Sequence, residues 1–208
     1  MTCLIVSGGD YCPRPEGSFD CIIACDRGWE HAARMGVSPD LIVGDFDSSP
    51  LPADVSVPVI TAPTRKDDTD TMLAVHQALD RGCREITIAC AFGGRLDHTI
   101  ANLQAGAFIV SHGGKARLLG ENEEVLVFSG DTVRLPRRES CSLSLFALGG
   151  DCAGVTVEGA KFDCRDVTLS PAFPLGISNV WESDAATVSV RSGTLAVVMS
   201  RLRPGEHI

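Results

Sequence analysis

The sequence predicts an α/β N-terminal domain with a mainly parallel, Rossmann-like sheet, followed by a small all-β sandwich domain. Three observations predict it. Over residues 1–121, short β-like runs alternate with helical patterns, as parallel βαβ units do. Over residues 122–208 the helical patterns stop and short alternating stretches follow, separated by Gly, Pro, Asp and Ser. The chain has 208 residues and is 44% apolar, enough to fill a core in each part. The boundary is expected around Gly120 to Asn122, with no long linker.

In the first part the expected strands are 3–8, 20–26, 40–45, 57–62, 85–91 and 116–120. Their runs of Val, Ile, Leu, Ala and Cys are continuous rather than alternating, which suits a sheet covered on both faces. Two crossover helices are expected between them. Residues 70–82 carry Met72, Val75 and Leu79 at helical spacing and stop at Gly82, and residues 95–110 carry Leu96, Ile100, Leu103 and Ala107 along one stripe. In the second part the expected strands are 124–130, 132–136, 141–149, 154–160, 166–170, 186–193 and 194–202.

Lys and Arg number 18 against 27 Asp and Glu, a net charge of -9, which argues against binding a nucleic-acid backbone. No apolar run is long enough to span a membrane, and MTCLIVSGGD lacks the basic start and cleavage site of a signal peptide. A cytoplasmic protein with no membrane partner is expected. The nine cysteines are scattered without a CxxC pair, and several lie in apolar runs, so they read as reduced, small hydrophobic side chains.

In an open parallel sheet, ligands bind outside the carboxyl ends of the strands. Five expected strand ends deliver acids there, in Ser7-Gly8-Gly9-Asp10, Asp26-Arg27-Gly28, Gly44-Asp45-Phe46-Asp47-Ser48, Lys66-Asp67-Asp68-Thr69-Asp70 and Gly94-Arg95-Leu96-Asp97-His98. Any one of these acids could simply favour the positive end of a helix. Gathered together they repel one another unless a cation intervenes. A hard divalent ion held by oxygen ligands and a substrate phosphate answers this, so Asp45, Asp47, Asp67 and Asp70 read as a magnesium-nucleotide site. Asp45 and Asp47, two apart on an extended backbone, face the same way and can share the ion.

The chain has neither GxxxxGK[ST] nor GxGxxG. Instead Gly8-Gly9 and Gly93-Gly94 allow backbone N–H groups to approach an anion, with Arg27, Lys66 and Arg95 beside the acids. In the second part, Gly176, Ser178, Asn179 and Trp181 form a polar loop ending in an aromatic residue. It reads either as a turn before a buried tryptophan or as a ligand loop with an aromatic surface.

The ordered set Cys25-Asp26-Arg27-Gly28, GDFDS at 44–48, KDDTD at 66–70, GRLDH at 94–98 and Gly176-Ile177-Ser178-Asn179 resembles the thiamin pyrophosphokinase family over nearly the whole chain. The resemblance implies transfer of pyrophosphate from ATP to the thiamin hydroxyl, giving thiamin diphosphate and AMP. It also implies a catalytic, nucleotide- and magnesium-binding domain at 1–121, a thiamin-binding sandwich at 122–208, and a homodimer with active sites between subunits. Carried onto these residues, Asp45, Asp47, Asp70 and Asp97 are catalytic, and Asp45, Asp47, Asp67 and Asp70 hold Mg²⁺. Asp70 or Asp97 accepts the hydroxyl proton. Arg27, Ser48, Lys66, Asp67, Thr69, Arg95 and His98 are nucleotide-binding, while Asp26, Ser178, Asn179 and Trp181 are substrate-binding. Two departures stand out, since the family pattern has a glycine where Arg27 stands, before that at Gly28, and often an acid where Val180 stands.

Two other readings compete. DFDSS also resembles the DxDx[TS] motif of haloacid dehalogenase phosphatases, which would make Asp45 a nucleophile. The next acids, however, follow within about twenty residues rather than on a distant strand. A non-catalytic thiamin- or nucleotide-binding protein is the third reading, against which stands the electrostatic cost of so many clustered carboxylates.

Overall fold

Strand β1 (Thr2–Val6) lies inside a six-stranded parallel sheet with β2 (Cys21–Cys25), β3 (Leu41–Gly44), β4 (Val59–Thr61), β5 (Glu85–Ala89) and β6 (Lys115–Leu119). The order is β4-β3-β2-β1-β5-β6, so the chain leaves β1 toward one side and returns on the other at β5. The computed structural model describes residues 1–46, 50–51, 55–61, 68–206 and 208. It divides into two units, Met1–Glu121 and Asn122–Ile208.

The six expected strands of the first unit are present. Those in the middle are almost wholly buried, as continuous apolar runs require, whereas β4 at the edge is largely exposed. The helices depart from expectation in three ways. A helix that the sequence reading left out, α1 (Gly28–Met35), follows β2. Its inner face is Gly28, His31, Ala32 and Met35, a helical spacing disguised because two of the four are not apolar. Gly36 ends it in the left-handed region at φ 69°, with its N–H on Ala33 O and that of Val37 on Ala32 O.

Helix α2 (Asp70–Asp80) is capped by Thr69, whose Oγ1 accepts from the Met72 N–H at 3.1 Å. It buries Thr71, Ala74, Val75 and Ala78, leaving Met72 and Leu79 half-buried. Helix α3 (Leu96–Ser111) buries Asn102, Ala105, Gly106 and Ile109. Small residues let it lie close to its neighbours, and the expected stripe turns outward, with Leu96 74% and Ile100 50% exposed.

The second unit is antiparallel and contains β7 (Glu123–Phe128), β8 (Thr132–Pro136), β9 (Cys141–Glu158), β10 (Cys164–Leu169), β11 (Ala185–Ser189) and β12 (Ser192–Arg201). Two separate strands, 141–149 and 154–160, are expected here. Instead β9 runs for 18 residues through Gly149 and Gly150. Its first half pairs with β12, which also pairs with β7, and its second half pairs with β10 and β11. Side chains from both sheets, among them Phe128, Leu145, Val157, Val188 and Leu195, share one core. Among the described residues, no helix is long and apolar enough to cross a membrane.

Candidate active site

In the first unit a cleft of about 350 Å³ opens at the carboxyl ends of β1, β2 and β5, where the strand order reverses. Its floor is tied to the sheet. The Ser7 N–H donates to Ala89 O at 2.9 Å, and the Ser7 and Thr71 hydroxyls lie 2.9 Å apart in the buried layer beneath. Beyond β1 the chain stays paired with the segment after β5. Gly9 N–H donates to Cys90 O at 3.0 Å and Asp10 N–H to Phe92 O at 2.8 Å.

Three non-glycine residues just past strand ends take the left-handed conformation: Asp26 after β2, Phe46 after β3 and Cys90 after β5, at φ 50°, 55° and 56°. Such conformations are costly and concentrate where the chain must be redirected at a functional edge. Gly28 then allows α1 to start against the sheet, because a methyl group there would come within 1.9 Å of Val6 O. The buried His31 donates through Nε2 to Gly9 O at 2.9 Å and so fixes the turn after β1. Asn102 does the same for the turn after β5, donating to Ala91 O at 2.7 Å.

All three helices among the described residues begin at this cleft. Arg27 precedes α1, Thr69 and Asp70 start α2, and Arg95 and His98 flank the start of α3, and all five line the wall. The first turn of a helix has N–H groups without intrahelical partners and a net positive partial charge, so three converging ends favour a ligand with several charged oxygens. Asp10 and Asp26 complete the wall. The cleft can therefore take a polyphosphate on its cationic ends while offering carboxylates to a cation or a proton.

Of the predicted site residues, Asp26, Arg27, Thr69, Asp70, Arg95 and His98 thus meet around one cleft. Asp45 stands at the end of β3, two strands from β1, and is not on the cleft wall. Asp97 is also off the wall. It forms a bidentate pair with Arg95, Nε to Oδ1 3.1 Å and Nη2 to Oδ2 2.5 Å, and accepts the His98 N–H. The Arg95 guanidinium holds the Asp97 carboxyl below the usual carboxylate range, and Asp97 in turn raises Arg95. Asp47, Ser48, Lys66 and Asp67 lie outside the described residues.

In the second unit, Ser178 is exposed at φ 59°, with its N–H on Ser144 Oγ. Two neighbours predicted to touch ligand are anchored inside the protein. Asn179 is buried, its amide exchanging two hydrogen bonds with the Phe162 backbone at 3.0 and 2.9 Å. Trp181 is 5% exposed, packs in the core of this unit and donates Nε1–H to Leu135 O at 3.0 Å. A loop that must hold one exposed serine in a left-handed turn needs such anchors on its following side. The sequence reading missed His31, Asn102 and Thr71. Of these, the pattern of α1 with Gly28, Ala32 and Met35 was the available signal for His31.

The family model "Thiamin pyrophosphokinase, catalytic domain" matches residues 17–118, and "Thiamin pyrophosphokinase, vitamin B1 binding domain" matches residues 132–195. The chain belongs to the thiamin pyrophosphokinase family. Its likeness to other members runs along nearly its full length. It is 26% identical over 184 residues to the thiamine pyrophosphokinase of Bacillus subtilis (strain 168), with 86% of each chain covered. The crystal structure of the Bacillus subtilis thiamine pyrophosphokinase matches with a TM-score of 0.84, covering 97% of this chain and 99% of that one at 26% identity. The thiamin pyrophosphokinase of Geobacillus thermodenitrificans matches at 0.80, covering 96% and 97%, again at 26% identity. The parts of the cleft at the ends of β2 and β5 fall in the stretch matched as catalytic, which the end of β1 precedes, and the Ser178 loop falls in the stretch matched as vitamin B1 binding.

Proposed function

We propose that this thiamin pyrophosphokinase binds the ATP polyphosphate in the cleft formed by the first unit and transfers its terminal pyrophosphoryl group to the thiamin hydroxyl. The observation that carries the reading is the convergence of three helix N-termini, with Arg27 and Arg95, on a cleft that also carries Asp26 and Asp70. The hydroxyl oxygen attacks the β-phosphorus, the bond from that phosphorus to the α,β-bridging oxygen breaks, and AMP leaves. Positioning and charge stabilisation are the main demands of such a step.

Arg27 and Arg95 hold the phosphate oxygens, with Lys66, Ser48, Thr69 and His98 as further contacts. When Arg95 turns to the phosphates it leaves Asp97, whose carboxylate then accepts the hydroxyl proton as a stronger base than in the ion pair. Ser178 contacts the pyrimidine end of thiamin, with Asn179 and Trp181 holding its loop in place.

Among the described residues no three acids, histidines or cysteines come together as a metal site. Asp45, Asp47, Asp67 and Asp70 would hold the ion, since carboxylate oxygens are the donors that suit magnesium, which takes its remaining ligands from water and phosphate. Bound there, Mg²⁺ would neutralise the phosphate oxygens as charge shifts to the leaving group. A homodimer is proposed as well. It is supported by the outward Leu96 and Ile100 of α3 and by Phe162, Phe173, Leu175 and Ile177 of the second unit, all 47% exposed or more. Nine unpaired cysteines fit a reducing, cytoplasmic setting.

Incubation with thiamin, ATP and magnesium, with AMP separated from ADP, tests the reaction. Thiamin-dependent AMP is the expected product. ADP, or phosphate released without thiamin, would refute the reading and favour the phosphatase alternative.

A further inference from the structure

We propose that Cys12 and Cys90 are an oxidant-sensitive thiol pair which a hydroperoxide converts to an intramolecular disulfide, and that this bond alters the affinity of the adjoining cleft for nucleotide. The second half rests on the nucleotide reading given above. The two sulfurs lie 3.7 Å apart, and each accepts the backbone N–H of the other residue, Cys12 N–H to Cys90 Sγ at 3.4 Å and Cys90 N–H to Cys12 Sγ at 3.2 Å. A disulfide needs the sulfurs at about 2.05 Å, so an approach of under about 2 Å is enough. Neither residue sits within a regular element that would resist it, since Cys12 is in the loop after β1 and Cys90 is one residue beyond β5.

Two other buried thiols, Cys3 and Cys25, are poor competitors. Burial drives Cys3 upward and Cys25 up to about 12, so both stay protonated, and Cys3 is fixed in sheet register opposite Cys21. Cys12 is different because the hydrogen bond from Cys90 stabilises its thiolate and brings it down to about 7. The thiolate is the reactive form, which makes Cys12 the attacking sulfur. Both sulfurs are buried, which favours an oxidant as small as hydrogen peroxide.

Cys12 thiolate attacks the outer peroxide oxygen, the O–O bond breaks, and the other oxygen leaves as alcohol after taking a proton, or as water when the oxidant is hydrogen peroxide. Cys12 is then a sulfenic acid. The Cys90 sulfur attacks it, the S–S bond forms, and the sulfenic oxygen departs with the Cys90 proton as water. Two electrons have passed from the two sulfurs to the peroxide.

The pair is joined to the cleft through the backbone. Cys12 is two residues past Asp10 and Cys90 is one before Ala91, and both of these line the cleft wall. The same segments are already tied by Gly9 N–H to Cys90 O and Asp10 N–H to Phe92 O. Drawing the sulfurs together therefore shifts the turns after β1 and β5 that would face the phosphates.

The test is to treat the full chain with hydrogen peroxide and map non-reduced peptides by mass spectrometry, then measure ATP binding by calorimetry before and after. A Cys12–Cys90 cross-link, reversed by dithiothreitol and absent in both Cys12→Ser and Cys12→Ala, is expected. ATP affinity should change by about fivefold or more in oxidised wild type and not in peroxide-treated variants. By linkage, ATP should shift the disulfide's equilibrium against a dithiothreitol buffer by the same factor. A cross-link between other cysteines, or only over-oxidised Cys12, would overturn the pair. A correct cross-link with unchanged ATP affinity would overturn the coupling. Absence of ATP binding to the reduced protein would overturn both the coupling and the nucleotide reading, while the peptide map would still judge the pair by itself.

Discussion

The Ser7 and Thr71 hydroxyls, 2.9 Å apart and buried, join the end of β1 to the first turn of α2 directly beneath the cleft. Removing one partner leaves the other buried without it, whereas removing both with matched shapes is far cheaper. Ser7→Ala should therefore cost about 1–3 kcal/mol. Thr71→Val should cost a similar amount, and the double variant less than the sum of the two. Urea unfolding of the four proteins measures this cycle, and strict additivity would contradict the pairing.

Gly28 is constrained by space. A Cβ at this position would lie 1.9 Å from Val6 O, a backbone atom that cannot move aside without shifting β1. Gly28→Ala should destabilise the protein by about 1–3 kcal/mol, as overpacking does. It should also raise the KM for ATP, because α1 would have to retreat from the cleft. A neutral variant in both thermal unfolding and kinetics would show that the contact relaxes freely.

Asp97 makes a prediction about pH with a definite sign. Arg95 depresses its pKa, so in the free enzyme Asp97 remains ionised to lower pH than an unpaired carboxyl would. Arg95→Ala removes the depression, and the acidic limb of the kcat/KM profile should move to higher pH. Asp97→Asn should abolish that limb together with most activity. An unmoved limb in Arg95→Ala would assign the proton to another group.

Trp181 separates core from substrate contact. Trp181→Phe keeps a buried ring but removes the donor to Leu135 O, and should lower stability by about 1–3 kcal/mol. The KM for thiamin should be unchanged. A rise in that KM without a loss of stability would return the indole to the ligand.

Asp45→Asn should leave the fold intact, as judged by circular dichroism and unfolding midpoint, while turnover falls to background. Full activity in this variant would remove Asp45 from the reaction.

Much of the first unit was legible in the sequence because continuous apolar runs ending in Gly and Asp report buried parallel strands and their carboxyl edge together. The helices were read less well. In α3 the large apolar residues Leu96 and Ile100 mark a helical stripe, although Asn102, Ala105, Gly106 and Ile109 make the buried contact. In α1 a glycine and a histidine occupy inward positions that periodicity expects to be apolar. Asp26, Arg27, Thr69, Asp70, Arg95 and His98 could be gathered from motifs because each follows a strand at the same edge. The supports Asn102 and Thr71 could not, since what marks them is a partner distant in sequence: Ala91 O and the Ser7 hydroxyl.

Strand β12 lies between β7 and the first half of β9, with Leu195 opposite both Phe128 and Ala147. During synthesis, β7 and β9 emerge long before the segment that must separate them. Until β12 arrives, their inner edges stay open to pairing with other chains, and the loop closing Phe128 onto Leu195 spans most of the second unit. Completion of this unit is thus expected to be a late and comparatively slow event, and a ribosome stalled before Ser192 would present an aggregation-prone nascent chain.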